Sequence, residues 1–259
     1  MTMLSKPNSG SNLTLPHQWR FIPLIEASGA TQMAIDRWLF QQHIAGNAPP
    51  TLRFYTWNPV AISLGYHQYQ YPEFWQQLKW QGEAIELVRR PTGGRAVLHQ
   101  GDLTYMVVVS GLSGTRSQTY QQICSFLIAG WRSLGINLHY GQAGRGYIKQ
   151  ASCFSSATSA DLVTESDYKF IGSAQYRQGN AILQHGAIAL SPNRELYRQV
   201  FDKLPTGFSP DRQWDLRQII ATLKTAARDC FNIELITQPL SAFERETAEN
   251  SSLIPIADE

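Results

Sequence analysis

Cys153 is the residue whose type and surroundings most directly suggest chemistry. It stands in the stretch QASCF, among small polar residues with the character of a loop. Loops carry functional side chains more often than core positions do. A nucleophilic thiol needs access and a neighbouring positive charge that lowers its pKa, and Lys169, one loop and one strand further on, is a source of that charge. Taken singly, both residues are also compatible with ordinary roles, as a loop thiol and as a surface lysine.

A glycine-rich tract, VRRPTGGRAVLHQGDLTY at residues 88–105, suggests a binding site. Gly93 and Gly94 follow a predicted strand, and a ligand can pass close to their backbone because neither has a Cβ. The charged or titratable residues around this gap are Arg89, Arg90, Arg95 and His99. An ordinary hairpin with solvated arginines explains the same tract, and it matches neither the P-loop nor the GxGxxG pattern.

A second tract of small residues follows in YKFIGSAQYRQGNAILQHGAIAL, residues 168–190. Gly172, Ser173 and Ala174 leave room for a slender ligand beside a sheet. His185 precedes a glycine in the next predicted strand, where a histidine with satisfied hydrogen bonds is an equally simple interpretation.

Composition limits the function classes. The chain has 259 residues, of which 43% are hydrophobic, and a formal net charge of +2. This charge gives no electrostatic case for a nucleic acid or a membrane surface as partner. Three cysteines, no signal-peptide pattern, no apolar run of bilayer length and no CxxC or HExxH motif predict a cytoplasmic protein without a metal site.

Hydrophobic periodicity predicts helices over residues 30–44, 118–135 and 212–230. Cys124 and Cys230 fall within the last two and are expected to act as small buried hydrophobes. Strands are predicted in TLRFYTW and VAISLG, as a pair, and in AIELVRR, RAVLH, LTYMVVVS, DLVTE, YKFIGSAQYR and AILQHGAIAL. This order predicts an α+β fold with a mixed, largely antiparallel β-sheet backed by helices. We expect one domain over residues 26–240, a flexible N-terminal tail over 1–25 and a polar C-terminal tail over 241–259.

Taken together, the motifs resemble those of the lipoate–biotin protein ligase catalytic-domain superfamily, also called the BPL/LPL superfamily. The resemblance rests on RRPTGGRAVLH, SCF and KFIGSAQYRQGNAILQHGAIAL, with QMAIDRWLF and SLGYHQ before them. It runs in order from about residue 30 to about residue 230. Within the superfamily, the TGGRAVLH wording, the cysteine before Phe154 and the short C-terminal end are most similar to the LipM-type octanoyltransferases.

That resemblance implies transfer of an octanoyl group from acyl carrier protein to a lysine of a lipoyl domain, such as the glycine-cleavage H protein. Cys153 then matches the nucleophile that becomes the octanoyl thioester, and Lys169 the lysine that lowers its pKa. Whether Lys169 also acts as a base stays open. No cofactor or metal is implied, because one thioester is exchanged for another. The implied substrate-binding residues are Arg90, Thr92, Gly93, Gly94, Arg95, Ala96, His99, Gly172, Ser173, Ala174, Gln175 and His185.

Two departures and three alternatives remain at this point. Gln100 stands where the family usually has an acidic residue, with Asp102 two positions later, and the loop between the cysteine and the lysine is one residue longer than expected. The alternatives are an ATP-dependent lipoate–protein ligase, an octanoyl amidotransferase acting between two lipoyl domains, and an inactive acyl-binding module.

For acidic carrier proteins as partners, the basic residues expected to dock them are Arg89, Arg90, Arg145, Lys149 and Arg177.

Overall fold

The chain is described from a computed structural model that covers residues 15–141, 160–204 and 213–251. Its strands are β1 Gln18–Ala27, β2 Thr51–Trp57, β3 Ala61–Leu64, β4 Lys79–Trp80, β5 Glu83–Ala84, β6 Glu86–Arg89, β7 Val97–His99, β8 Asp102–Ser110, β9 Leu138–Tyr140, β10 Leu162–Thr164, β11 Lys169–Gln178, β12 Ala181–Ala189 and β13 Glu234–Thr237. Its helices are α1 Gly29–Ile44, α2 Arg116–Ser133, α3 Arg194–Phe201, α4 Leu216–Phe231 and α5 Ala242–Ser251, with a short 3-10 helix over Glu73–Gln77.

The main sheet has eight strands in the order β13-β1-β2-β8-β12-β11-β10-β9. The pairs of β1 with β13 and with β2 are parallel, and the other neighbours are antiparallel. A small sheet in the order β6-β3-β7 stands beside it. The prediction of an α+β fold with a mixed, largely antiparallel sheet backed by helices is confirmed.

The predicted pairing of β2 with β3 is wrong. A strand has two hydrogen-bonding edges, and β2 uses one for β1 and the other for β8. β3 instead pairs with β6 and β7 in the small sheet. The prediction paired β2 with β3 because they are close in sequence. The actual partner of β3 depends on which strand edges are free to form hydrogen bonds in the folded sheet.

Both faces of the main sheet are buried, and β8 shows how its alternation divides the core. Tyr105 and Val107 belong to the larger apolar cluster, which holds side chains of α2 and α4. Met106 and Val108 point to the opposite face and join a second cluster with Trp38 of α1. Successive side chains of a strand point to opposite faces, so one run of apolar residues serves both clusters.

Two side chains fix the N-terminus of helix α1. The side chain of Ser28 accepts a hydrogen bond from the backbone N–H of Thr31, as helix caps do. The carboxylate of Glu86 accepts from the backbone N–H groups of Gly29 and Ala30, at 2.6 and 2.9 Å. Because Glu86 belongs to β6, the small sheet holds the start of α1 in place.

Both predicted tails include regular structure, so their boundaries are corrected. Strand β1 starts at Gln18 and pairs with two neighbours, because its apolar residues complete the core. Near the other end, α5 buries Ala248, and Glu244 forms an ion pair of 2.7 Å with Arg20. Within the described residues, no helix is long and apolar enough to cross a membrane.

The two cysteines on helices differ in exposure. Cys124 is buried on α2, as predicted, and burial raises the pKa of its thiol to about 11. Cys230 is exposed, so its assignment to the apolar face of α4 is wrong. It stands one residue before the end of that helix, and at this end Phe231 is the side chain that packs on the core, where it stacks on Trp19.

Candidate active site

A cavity lies beside β11 at the point where β10 stops pairing with it. The two strands pair at Leu162 with Ile171 and at Val163 with Lys169. From Gly172 onward, none of the described strands covers this edge of β11. The cavity has a volume of about 190 Å³ and reaches from this edge to the glycine turn between β6 and β7.

The structure brings most of the predicted binding residues to this cavity. Nine of the twelve line it, namely Arg90, Gly93, Gly94, His99, Gly172, Ser173, Ala174, Gln175 and His185. The other three, Thr92, Arg95 and Ala96, are not among the described residues that line it. Thr92 and Ala96 are fully buried. Substrate binding by these residues stays a prediction.

Arg90 holds the glycine turn in place. Its guanidinium is buried and donates hydrogen bonds to the carbonyl oxygens of Ser63, Gly93 and Arg95 at 2.9, 2.8 and 2.7 Å. Gly94 has a φ of +94°, which favours glycine. On Gly65, which follows β3, a Cβ would come within 1.9 Å of the carbonyl oxygen of Gly94. The interpretation of this arginine as solvated is therefore wrong, and Arg90 is not a docking residue.

Two of the other expected docking residues, Arg89 and Arg177, bond to nearby groups of the same chain. Arg89 is half-buried and donates to the carbonyl oxygens of Gly65, Tyr66 and Gln68. Arg177 is half-buried and bonds to Thr119. Arg145 and Lys149 lie outside the described residues. An exposed arginine surface is therefore not supported for the three that the structure describes.

His185 joins two elements behind the turn. Its Nδ1 lies 2.8 Å from Oδ2 of Asp36, and its Nε2 lies 2.6 Å from the hydroxyl of Thr92. The carboxylate accepts, so Nδ1 carries the proton and Nε2 accepts from Thr92. Burial lowers the pKa of His185, although Asp36 opposes this shift, so the ring is held neutral.

Asp36 is a functional candidate that the sequence did not reveal. It is fully buried and accepts hydrogen bonds from Arg53 at 2.9 and 2.6 Å and from the hydroxyl of Tyr55 at 2.9 Å. Burial would raise its pKa, but Arg53 and His185 outweigh burial and hold the pKa of Asp36 below its ordinary value. An acidic residue inside the apolar pattern of a helix was the available signal.

His99 stands in a second arrangement of the same kind. Its Nδ1 lies 2.9 Å from Oδ2 of Asp102, and its Nε2 lies 2.8 Å from the hydroxyl of Ser63. The ring stacks on the indole of Trp57, with 3.7 Å between the centroids. Asp102 thus provides a carboxylate close to the position where the family usually has an acidic residue. Gln100, which stands at that position, accepts a hydrogen bond from the backbone N–H of Asn193, just before α3.

Lys169 is buried, so its interpretation as a surface lysine is wrong. Its Nζ forms an ion pair of 2.9 Å with Asp161, which itself lines the cavity. The other predicted catalytic residue, Cys153, lies outside the described residues. In the chain it falls between Gly141, whose N–H donates to the carbonyl of Asp161, and Ala160, which lines the cavity.

Comparison with known proteins identifies the family to which the chain belongs. The family model of the lipoyl protein ligase A/B catalytic domain matches residues 28–238. The octanoyltransferase LipM of Kyrpidia tusciae is 35% identical over 93% of this chain and 97% of its own length. A structure of lipoate-protein ligase A bound with ATP has a TM-score of 0.72 at 20% identity, over 90% of this chain and 93% of that one.

A second solved structure has the same fold. It is an archaeal bi-partite lipoate protein ligase with its E2 lipoyl domain, from Thermoplasma acidophilum, with a TM-score of 0.69 at 18% identity. The match covers 91% of this chain and 92% of that one. The family match spans the elements that build the cavity, and the curated relative aligns over almost its whole length. The chain therefore belongs to the lipoyl protein ligase A/B catalytic-domain family, and within it to the LipM-type octanoyltransferases.

Proposed function

We propose that this member of the LipM family transfers an octanoyl group from acyl carrier protein to a lysine of a lipoyl domain, through a thioester on Cys153. The observation that carries the proposal is the placement of Lys169. It is buried and paired with Asp161, and Asp161 lines a cavity bounded by the glycine turn and β11. Donor, acceptor and intermediate are all parts of this proposal.

In the first half-reaction the thiolate of Cys153 attacks the octanoyl thioester carbonyl, and the carrier thiol leaves. One thioester replaces another, so the step needs a lowered thiol pKa and little further driving force. An ammonium group close to the thiol favours the thiolate. The 2.9 Å contact of Asp161 with Lys169 favours the charged ammonium. We infer that Lys169 acts on Cys153 through its charge.

In the second half-reaction a neutral lysine amine of the acceptor attacks the enzyme thioester and displaces the thiolate of Cys153. The amine loses a proton as the amide forms, and the thiolate leaving group is a suitable acceptor for it. The octanoyl chain lies in the cavity during both steps, where each buried methylene contributes about 0.8 kcal/mol.

We infer a lipoyl domain as the acceptor of the octanoyl group from the family to which the chain belongs. The structural relative from Thermoplasma acidophilum is described together with an E2 lipoyl domain. The glycine-cleavage H protein as acceptor, acyl carrier protein as donor, a cytoplasmic location, and the absence of nucleic-acid or membrane partners are our expectations for this chain.

Intact-protein mass spectrometry after mixing with octanoyl–acyl carrier protein, without ATP, tests the proposal. The wild type should gain one octanoyl group that a thiol reagent removes, and Cys153→Ser should not gain it. Cys230→Ser is the matched control, because this exposed thiol should be dispensable. Adding the apo lipoyl domain should then move the group to its lysine.

Other results would identify the alternatives. Acceptor modification that requires ATP and survives Cys153→Ser would make the chain a ligase. An adduct that forms from an octanoylated lipoyl domain, but not from octanoyl–acyl carrier protein, would make it an amidotransferase. If neither the protein nor the acceptor gains an acyl group under any of these conditions, the remaining interpretation is an inactive acyl-binding module.

A further inference from the structure

A network of polar side chains lies behind β11 at the cavity. Its members come from four elements: Tyr105 of β8, Gln184 of β12, Ser173 and Gln175 of β11, and Cys124 of α2. Ser173 and Gln175 line the cavity, whereas the other three are fully buried in the core. The network therefore connects the wall of the cavity to the interior of the protein.

The amide of Gln184 sets the direction of the hydrogen bonds. Its Oε1 accepts from Nε2 of Gln175 at 2.7 Å, and its Nε2 donates to the hydroxyl oxygen of Tyr105 at 2.7 Å and to Sγ of Cys124 at 3.4 Å. The hydroxyl oxygens of Tyr105 and Ser173 are 2.7 Å apart. Because the oxygen of Tyr105 already accepts and a phenol is a stronger acid than an alcohol, Tyr105 donates to Ser173. Burial holds the pKa of Tyr105 well above its ordinary value, so the phenol keeps this proton.

Ser173 accepts in this contact, so its own O–H is available as a donor. The thiol of Cys124 lies within hydrogen-bond reach of it, but sulfur is a weak acceptor. An oxygen that carries negative charge is a much stronger acceptor. A substrate oxygen that becomes negatively charged in the cavity would therefore attract the O–H of Ser173.

The contact between Tyr105 and Ser173 crosses a strand, and a glycine makes this possible. Gly186 of β12 is opposite Tyr105 on one side and opposite Ser173 on the other. A Cβ on Gly186 would lie 2.6 Å from Cε1 of Tyr105 and 2.7 Å from Oγ of Ser173. A side chain at this position would push the two hydroxyls apart. The phenol therefore reaches from β8 to β11 over the backbone of β12.

Ser173 is close to the ion pair on which the proposed function depends. The pairing of β10 with β11 extends to Leu162 and Ile171. Asp161 precedes Leu162, and Ser173 follows two residues after Ile171, so the antiparallel direction of the strands brings Asp161 toward Ser173. Both residues line the cavity, and Asp161 contacts Nζ of Lys169 at 2.9 Å. The O–H of Ser173 and the ammonium thus belong to the same part of the cavity, where the reacting carbonyl lies in the proposed mechanism.

We propose that Ser173, oriented by Tyr105, is a catalytic residue that donates a hydrogen bond to the carbonyl oxygen of the octanoyl thioester as negative charge develops on it. This inference rests on the proposed function. When the thiolate of Cys153 adds to the carbonyl carbon, an electron pair of the C=O bond moves to the oxygen, and the O–H of Ser173 stabilises it without giving up its proton. The pair returns as the bond to the carrier sulfur breaks. Tyr105 acts through Ser173 and is a positioning residue.

The test measures the rate of acyl-enzyme formation from octanoyl–acyl carrier protein, without ATP, in a Cys230→Ser background. Ser173→Ala should lower this rate about 100-fold, as the loss of one oxyanion donor does in other enzymes. Alkylation of Cys153 by iodoacetamide forms no oxyanion, so its rate should be unchanged. Ser173→Thr keeps the hydroxyl and should recover part of the acylation rate. Ser110→Ala is the matched control, because this serine of β8 bonds to His43 and is outside the described cavity lining.

A double-substitution cycle tests the positioning role of Tyr105. Tyr105→Phe removes the hydroxyl that orients Ser173, so it should slow acylation and leave the alkylation of Cys153 unchanged. Adding Tyr105→Phe to Ser173→Ala should cause no further loss, because the phenol acts only through the serine hydroxyl. Losses that multiply in the double variant would show that Tyr105 does not act through Ser173.

The remaining outcomes separate the inference from the proposed function. An unchanged acylation rate in folded Ser173→Ala, or in Tyr105→Phe if the first variant does not fold, would overturn the inference alone. An equal loss of acylation and alkylation, which a purely structural role predicts, would also overturn it. If the parent protein forms no acyl-enzyme on Cys153, the proposed function fails and the inference fails with it.

Discussion

Asp36 and His185 are joined by a hydrogen bond of 2.8 Å between Oδ2 and Nδ1, although 149 positions separate them in the chain. Asp36 is on α1 and His185 on β12, so the contact links a helix on one face of the main sheet to a central strand. Through Nε2, His185 also holds Thr92 of the glycine turn. The turn at the cavity is thereby connected to the core by way of one buried carboxylate.

Asp36→Asn should strongly destabilise the fold. The substitution leaves the buried guanidinium of Arg53 without its counter-charge, a change that costs about 3–5 kcal/mol in comparable buried pairs. The free energy of unfolding in urea measures the effect. Asp229→Asn, at an exposed position of α4, is the control and should change stability by less than about 0.5 kcal/mol. Equal effects of the two substitutions would contradict the role given to Asp36.

His185 should make the protein less stable as the pH falls from 7 to 5. Burial lowers the pKa of His185 in the folded chain, so in this window the unfolded chain binds a proton that the folded chain does not. More protons on the unfolded state mean that stability rises with pH and is lost as pH falls below the ordinary histidine value. Urea unfolding of wild type and His185→Gln at both pH values gives the difference, which should be smaller in the variant. The same difference in both proteins would rule out this assignment.

Gly65→Ala should disturb the glycine turn. A Cβ at this position would lie 1.9 Å from the carbonyl oxygen of Gly94, which is backbone and has little room to move. We expect a loss of about 1–3 kcal/mol, as in other overpacked sites. Gly93→Ala is the matched control, because a Cβ there meets nothing within 4 Å. Thermal unfolding of both variants should separate them, and equal melting temperatures would argue against a tight contact between the two turns.

Lys169→Met should slow the alkylation of Cys153 by iodoacetamide at neutral pH. If the ammonium of Lys169 favours the thiolate, its removal raises the pKa of the thiol, and a pKa higher by about one leaves roughly a tenth of the thiolate. The measurement is the rate of modification against pH in a Cys230→Ser background, read by peptide mass spectrometry. Lys169→Arg keeps the charge and should restore part of the rate. If the rate of modification depends on pH in the same way in the parent protein, Lys169→Met and Lys169→Arg, Lys169 does not activate the thiol of Cys153.

Local patterns in the sequence were sufficient for most of the elements and for the tracts that surround the cavity. The apolar spacing over residues 30–44 predicted α1, and the short β-rich run LTYMVVVS predicted β8. The resemblance to the superfamily implied that the glycine tract and the small residues of β11 form one site, and the structure places Gly93 and Gly172 at the same cavity. Helical and strand periodicities act over a few residues, so a single sequence displays them.

From the sequence alone, three of the five described helices, most of the strands around the cavity, the family and the residue types available for acyl transfer could be predicted. The folded contacts were needed to find the partners: Arg90 is buried against the turn, Cys230 is exposed, and β3 pairs with β6 and β7 instead of with β2. Asp36 and Asp161 became candidates in the same way, through contacts with His185 and Lys169. A buried charge acquires its role from the groups that folding brings within about 3 Å of it, and for Asp36 and His185, which are 149 positions apart, no local pattern along the chain encodes that contact.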